Sequence, residues 1–200
     1  VTISDNIKTI GSNAFYQCRS MERADISHTV ETIGSSAFKG CTALYDIDLK
    51  EGLKTISSQA FYFCITLKNI VIPKTVTSIG SSILATSRNT MRVTVLSDCS
   101  DGLNNNAFFK VGEQVEGGTV YNVVSEAVKT KMVENGISES NIKVYPGKYV
   151  ALLFPGYGYN IPELVSTNYI VVLPALEDRV RFKFRGWTDG VNTYDAGETI

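Results

Sequence analysis

Thiols and imidazoles are the side chains of this chain best suited to metal binding or nucleophilic catalysis. The 200 residues include four cysteines but one histidine, His28. No CxxC pair occurs, and no cysteine, histidine and aspartate fall at the spacing of a metal site. A Ser-His-Asp triad would also have to use His28, and the GxSxG turn that presents a nucleophilic serine is missing from the sequence. We therefore expect no catalytic residue, no metal and no cofactor, and we interpret His28 as a solvated turn residue.

Other motifs that carry chemistry are equally weak. Gly156-Tyr157-Gly158 lacks the third glycine and the following helix of a dinucleotide-binding loop. The carboxylates are scattered, and nothing in the sequence places an acid of raised pKa beside a second carboxylate. Trp187 lies in a strand-like Gly-Trp motif, where a core plug is favoured over a sugar-binding platform. The sequence therefore predicts a protein that is not an enzyme.

The cysteines could instead form disulfides, as they often do in exported proteins. Cys18, Cys41 and Cys64 recur at one constant interval and so occupy equivalent positions. Their Cβ vectors should run parallel about 5 Å apart, whereas a disulfide needs converging Cβ atoms about 3.8 Å apart. We predict that these three cysteines are buried, reduced and not metal-bound. Cys99 is outside the series and has no obvious mate.

The element that positions the cysteines is a 23-residue repeat. Apolar residues recur at this interval in three columns: Ile3, Ile26, Leu49, Ile72 and Val95; Ile7, Val30, Leu53 and Val76; Ile10, Ile33, Ile56 and Ile79. A constant period of this length is the signature of a solenoid. One unit cannot bury its apolar side alone, but stacked units share a continuous core and display rows of equivalent outer residues.

Each repeat contains a strand-like part and a returning part. The alternating pattern L-x-x-L-x-L begins at Met21, Leu44 and Leu67, and it predicts a short strand with one buried face. Such strands should pair in parallel from coil to coil. Gly11, Gly34 and Gly80 mark the turn, where the third unit has Ser57. The residues expected to point inward on the return side form one column: Phe15, Phe38, Phe61 and Leu84.

Residues 97–146 continue the repeat in degenerate form. LNNNAFF (103–109) echoes IGSNAFY one residue late, and TVYNVV (119–124) reads as a strand. SEAVKTKMVENG (125–136) is expected to be an amphipathic helix, with a serine cap at its start and a glycine at its end. Ile142–Tyr145 reads as a further strand. We assign this region a capping role, because the last unit of a solenoid must close the core against water.

Residues 147–200 show no repeat phase. Three strand-like runs are separated by turn residues: YVALLF (149–154), YIVVLP (169–174) and VRFKFRGW (180–187). The predicted architecture is therefore an α/β repeat solenoid in residues 1–96, a strand-helix-strand cap and a small C-terminal β-rich domain.

The repeat pattern L-x-x-I-x-I-P-x-x-V-x-x-I-G-x-x-A-F-x-x-C-x-x-L closely resembles the BspA-like leucine-rich repeat. Residues 44–67 and 67–84 carry nearly all of it. The resemblance implies a leucine-rich-repeat fold with its parallel strands on the concave face. The tail at 183–200 is similar to the Listeria–Bacteroides repeat, although Arg181 and Phe182 stand where that repeat has Gly-Tyr.

Both resemblances imply an extracellular or cell-surface protein that adheres to a host or matrix protein. The chain opens inside a repeat, and we interpret it as a piece of a longer protein whose signal and anchor lie elsewhere. A net charge of −1 gives no reason to expect nucleic acid as a partner. The longest apolar stretches, such as YIVVLPAL (169–176), are too short to span a membrane. We expect a monomer without membrane insertion.

Two functions of different class remain open: a protein-binding module, and a passive spacer that projects another domain. Binding predicts a distinctive row of exposed side chains, whereas a spacer predicts a bland one. The strand residues expected to point outward, and to form the binding surface, are Arg23, Asp25, Asp46, Asp48, Asn69, Val71, Arg92 and Thr94. Adjacent Asp25 and Asp48 should repel mildly, and a basic partner or bound cation would relieve that repulsion. The bland alternative is a solvated acidic face.

Overall fold

The structure is a computed structural model. It describes residues 1–85, 91–108, 111 and 118–145, together with the backbone of 187–188 and 193–194. The chain forms two compact units, Val1–Pro146 and Gly147–Ile200. The sequence further divides this first unit into repeats (1–96) and a cap (97–146), and that boundary remains a prediction.

Two kinds of strand alternate along the first unit. The longer series, in chain order, is β1 (Thr2–Ile3), β3 (Arg23–Ile26), β5 (Asp46–Asp48), β7 (Asn69–Ile72), β9 (Arg92–Val95), β10 (Val120–Val123) and β11 (Ile142–Val144). The shorter series is β2 (Thr9–Ile10), β4 (Thr32–Ile33), β6 (Thr55–Ile56) and β8 (Ser78–Ile79). Each of the first four coils contributes one strand to each series, whereas β9, β10 and β11 belong to the longer series alone.

The longer strands pair in parallel, as the sequence predicts. Ala24 lies opposite Ile47 and Asn69 opposite Arg92, so the register follows the repeat period. Backbone pairing joins β1, β3 and β5 in one sheet and β7, β9, β10 and β11 in another. The apolar residue at every second position faces the core; in β3 these are Ala24 and Ile26.

A third parallel sheet, formed by β2, β4, β6 and β8, was not predicted. Its strands are two residues long, and each ends in a member of the Ile10 column. Leu103 continues this column by a parallel bridge to Ile79, one position later than the repeat period would place it. The expected one-residue delay in the degenerate unit is therefore confirmed.

The core lies between the strands and the return segments, which we define as residues 11–20, 34–43, 57–66 and 80–85. The ring of Phe38 stacks between Phe15 and Phe61, with centroids 5.0 and 5.5 Å apart. Backbone bonds run beside this stack, from Phe15 N to Ala37 O (2.7 Å) and from Phe38 N to Ala60 O (2.8 Å). Burying a side chain such as Phe38 or Phe61 contributes about 1.5–3 kcal/mol. The stacked rings confirm the predicted aromatic column.

Gly34 is required because neighbouring coils approach closely at the turn. A Cβ at this position would lie 2.6 Å from Ser12 N and 2.8 Å from Ile10 O. Gly80 lies equally close to the third coil, because a Cβ at this position would be 2.4 Å from Ser58 N. Gly34 and Gly80 therefore permit close contact between coils, whereas a Cβ at Gly11 would have no heavy atom within 4 Å.

The cap consists of β10, the helix α1 (Glu126–Glu134) and β11. The Ser125 hydroxyl accepts a hydrogen bond from Val128 N at 3.4 Å, and Gly136 follows the helix with φ of 87°. Val128 and Met132 are buried. Because β10 pairs with β9 and β11 with β10, the cap extends the sheet of the repeats. The described residues contain no helix with the length and apolar character needed to cross a membrane.

In the second unit the structure describes one antiparallel pair, β12 (Trp187–Thr188) with β13 (Thr193–Tyr194). Trp187 begins β12, at the end of the predicted strand 180–187. The other strands predicted in this unit, at 149–154 and 169–174, lie outside the described residues.

Candidate functional site: the long-strand face

We call the outward side of β1, β3, β5, β7 and β9 the long-strand face. The register places the predicted binding residues in cross-strand pairs: Thr2 with Asp25, Asp25 with Asp48, Arg23 with Asp46, Asn69 with Arg92, and Val71 with Thr94. Backbone pairing is not continuous between β5 and β7. The face therefore has an N-terminal half on β1, β3 and β5, and a C-terminal half on β7 and β9.

The N-terminal half is charged and open to solvent. Arg23 Nη2 lies 2.8 Å from Asp46 Oδ2, and the Lys50 ammonium pairs with the Asp48 carboxylate. Asp25 is exposed and forms no ion pair with any described residue. Because Lys50 compensates Asp48, the repulsion expected between Asp25 and Asp48 is reduced. Exposed pairs of this kind contribute only about 0–1 kcal/mol to stability, so they add little to folding.

The C-terminal half differs from the prediction. Asn69 is exposed and Val71 and Arg92 are half-buried, but Thr94 is 0% exposed. Placing Thr94 in an exposed row was therefore wrong. Its hydroxyl accepts a hydrogen bond from Asn122 Nδ2 at 3.4 Å, and Asn122 is itself 1% exposed.

Asn122, on β10 beside this face, is a residue that the sequence prediction missed. It lies opposite Thr94 on β10, but an insertion between the two strands places it outside the repeat period. Its Oδ1 atom is buried and has no hydrogen-bond partner among the described residues. A polar residue inside the apolar run TVYNVV was the available signal.

The cysteines are all free, but their environments differ. The Cys41 thiol donates to Phe15 O at 3.1 Å and the Cys64 thiol to Phe38 O at 3.2 Å. Burial raises the pKa of Cys41 to about 11 and raises the pKa of Cys64 further. Cys18, however, is exposed, and its predicted burial was wrong. It belongs to the first described coil, whereas the Cys41 and Cys64 thiols are each covered by the coil before them.

The remaining chemistry-bearing groups do not converge. His28 Nδ1 lies 3.8 Å from Asp5 Oδ1, and both side chains are largely exposed. Within the described part of the chain, no three His, Cys, Asp or Glu side chains are grouped so that they could hold a metal ion. The long-strand face therefore carries exposed polar and charged side chains, and no metal-binding group is formed among the described residues.

Stacked coils of constant length, with parallel strands on one side and an aromatic column opposite, define a solenoid of the leucine-rich-repeat class. Residues 1–112 match the BspA type leucine-rich repeat region in six copies. The chain belongs to this family, and the match extends into the degenerate unit. No curated protein matches the chain.

Solved structures of three proteins are similar to this chain. A leucine-rich cell surface protein of Faecalibacterium prausnitzii A2-165 is 25% identical, with a TM-score of 0.53 over 60% of this chain and 31% of its own. The pneumococcal vaccine antigen PcpA is 20% identical, with a TM-score of 0.56 over 72% and 40% of the two chains. A leucine-rich repeat protein of T. pallidum, TpLRR, is 22% identical, with a TM-score of 0.49 over 68% and 83%. The chain thus spans less than half the length of the F. prausnitzii protein and of PcpA. At 20% identity, the likeness to PcpA concerns the fold alone.

Proposed function

We propose that this chain is a non-enzymatic protein-binding module of a cell-surface or secreted protein, and that it adheres to a host or matrix protein through the N-terminal half of the long-strand face. Family membership supports a role in recognition. The F. prausnitzii protein, described as a cell surface protein, supports the location. The assignment of residues 183–200 to a Listeria–Bacteroides repeat remains a prediction.

One observation carries the proposal. Arg23, Asp46 and Asp48 are held on adjacent paired strands, with the charged groups already oriented by ion pairs. Side chains in register on neighbouring strands are about 5 Å apart, so one partner could contact several coils at once. Asp25 adds an exposed carboxylate beside them, which favours a basic patch on the partner.

The test begins with a pull-down of the full chain against matrix and epithelial surface proteins. Affinity for the captured protein is then measured for Asp25→Ala combined with Asp48→Ala. We expect weaker binding because both changes remove charge from the proposed contact. Asp101→Ala combined with Glu134→Ala is the matched control, since it removes the same charge from exposed positions outside this face.

Equal affinity of both double variants, with folding intact, would move the contact away from the long-strand face. Failure to capture any protein would favour the passive spacer. Turnover in a broad substrate screen that one point change abolishes would contradict the non-enzymatic assignment.

A further inference from the structure

Acidic residues are absent from one side of the coils. Residues 1–96 contain seven Asp and Glu residues, and all of them lie outside the return segments: Asp5, Glu22, Asp25, Glu31, Asp46, Asp48 and Glu51. The return segments do carry cations, namely Arg19 and Lys39. We call the side chains of Tyr16, Gln17, Arg19, Lys39, Tyr62 and Phe63 the return face.

The cations of the return face are oriented by neutral partners. Lys39 Nζ donates to Gln59 Oε1 at 2.8 Å and lies 4.6 Å from the centroid of the Tyr62 ring. Arg19 Nη2 donates to Gln17 Oε1 at 3.5 Å. Neither cation forms an ion pair with a described residue, whereas on the strand side Lys54 pairs with Glu31. The return face therefore presents positive charge that is positioned but not neutralised.

Aromatic rings stand exposed beside these cations. Tyr16 is 46% exposed and Phe63 is 37% exposed. Phe63 also has a left-handed backbone, with φ of 62°, in a position that Gln17 and Gly40 occupy in the neighbouring coils. A bulky residue in this conformation is uncommon. The repeat imposes this backbone conformation, and the Phe63 ring is only partly covered, so the ring is available for contact with a ligand.

The spacing of these groups suits a repeating polymer. Tyr16 and Tyr62 are equivalent positions two coils apart, which corresponds to about 10 Å. This distance is comparable to one disaccharide of an extended glycan. The aliphatic faces of sugar rings would stack on the exposed rings of Tyr16 and Phe63, since Lys39 already lies over the half-buried Tyr62 ring. Anionic substituents of the glycan would meet Lys39 and Arg19.

A peptide is less well matched to this surface. Backbone groups of the return segments are used between coils, in the bonds Gln17 N to Lys39 O (2.7 Å) and Gly40 N to Tyr62 O (2.8 Å). A peptide could therefore not extend a strand edge within the described return segments. We propose that the return face is a second binding site, separate from the long-strand face, for an acidic polysaccharide.

Titration calorimetry of the full chain with a sulfated glycosaminoglycan such as heparin tests the proposal, with dextran as the neutral polymer and polyglutamate as the acidic peptide. We expect heparin to bind and dextran and polyglutamate to bind weakly or not at all. Arg19→Gln combined with Lys39→Gln should weaken heparin binding by roughly tenfold or more, because two charge-assisted contacts are lost. Phe63→Gly should also weaken binding, and Gly40 shows that glycine suits this backbone position.

Lys74→Gln combined with Lys131→Gln is the matched control, because it removes the same charge outside the return face. An equal loss of affinity in this control would overturn the site, since it would indicate non-specific attraction. Equal binding of polyglutamate, or no binding of heparin, would also overturn it. Asp25→Ala combined with Asp48→Ala should leave heparin affinity unchanged, so failure of this site and of the long-strand face can be told apart.

Discussion

The first coil and the second coil carry the same sequence pattern but differ in burial. Phe38 and Cys41 in the second coil are 0% exposed. Their counterparts in the first coil are more open, since Phe15 is only partly buried and Cys18 is exposed. The pattern therefore determines where a residue lies within a coil, whereas burial depends on the coil that packs against it. In a solenoid most of the energy of one unit is contributed at its interfaces with its neighbours.

The largest expected difference between these coils concerns the aromatic column. Phe38→Ala should lower the free energy of unfolding by about 3–5 kcal/mol, because it opens a cavity between two rings. Phe15→Ala should cost only about 1–2 kcal/mol, because the ring is already partly solvated. Chemical denaturation of both variants measures the difference. Similar losses would show that the first coil is as well packed as the second.

A smaller difference is expected at the turn glycines. Gly34→Ala should destabilise by about 1–3 kcal/mol, since the new Cβ meets the backbone of the first coil. Gly11 is the matched control, because a Cβ there has no heavy atom within 4 Å. Thermal melts should show a lower Tm for Gly34→Ala and little change for Gly11→Ala. A tolerated Gly34→Ala would contradict the close approach of the coils.

The smallest effect should come from the ion pairs between coils. Hydrogen bonds and charge from Lys54 and then Lys8 lower the pKa of Glu31 from its usual value of 4.5. A lowered pKa means that Glu31 stabilises the fold at pH values above 4.5, and that this contribution is lost as pH falls through the folded value.

Glu31→Gln should therefore lower Tm slightly at neutral pH, and its difference from the original chain should shrink below pH 4.5. Glu22→Gln is the control, because Glu22 is exposed and forms no ion pair with a described residue. A loss for Glu31→Gln that persists unchanged at low pH would show that the carboxylate charge is not responsible.

The register of β1, β3, β5, β7 and β9 could be predicted from the sequence, because a constant period aligns equivalent residues without further information. The register of β10 and β11 could not, because their spacing departs from that period. The sheet of two-residue strands could not, since Thr9–Ile10 and its equivalents are too short to show an alternation. The delay of one residue at Leu103 was visible because the motif around it survives. Where the 23-residue repeat is lost, as in residues 147–200, the sequence supports strands but no topology.

The candidate site was predictable only where the period is intact. Arg23, Asp25, Asp46 and Asp48 lie in the predicted register because their two strands are separated by one unaltered repeat. The burial of Thr94 could not be anticipated, because its partner Asn122 follows an insertion that changes the spacing. Exposure at Cys18 was missed for a different reason: a repeat pattern identifies equivalent positions, but burial also depends on the coil that packs against each one.

The three cysteines of the repeat test the central claim most directly, because they share one position in successive coils. The folded chain is treated with an alkylating reagent at neutral pH, and mass spectrometry follows each site. Cys18 should react rapidly. Cys41 and Cys64 are buried and should react more slowly by roughly a hundredfold or more. At Cys41, a pKa raised from 9.0 to about 11 lowers the thiolate fraction at neutral pH by about a hundredfold. In denaturant all three should react alike. Equal rates for Cys18 and Cys41 in the folded chain would contradict the account, because burial would then not depend on the neighbouring coil.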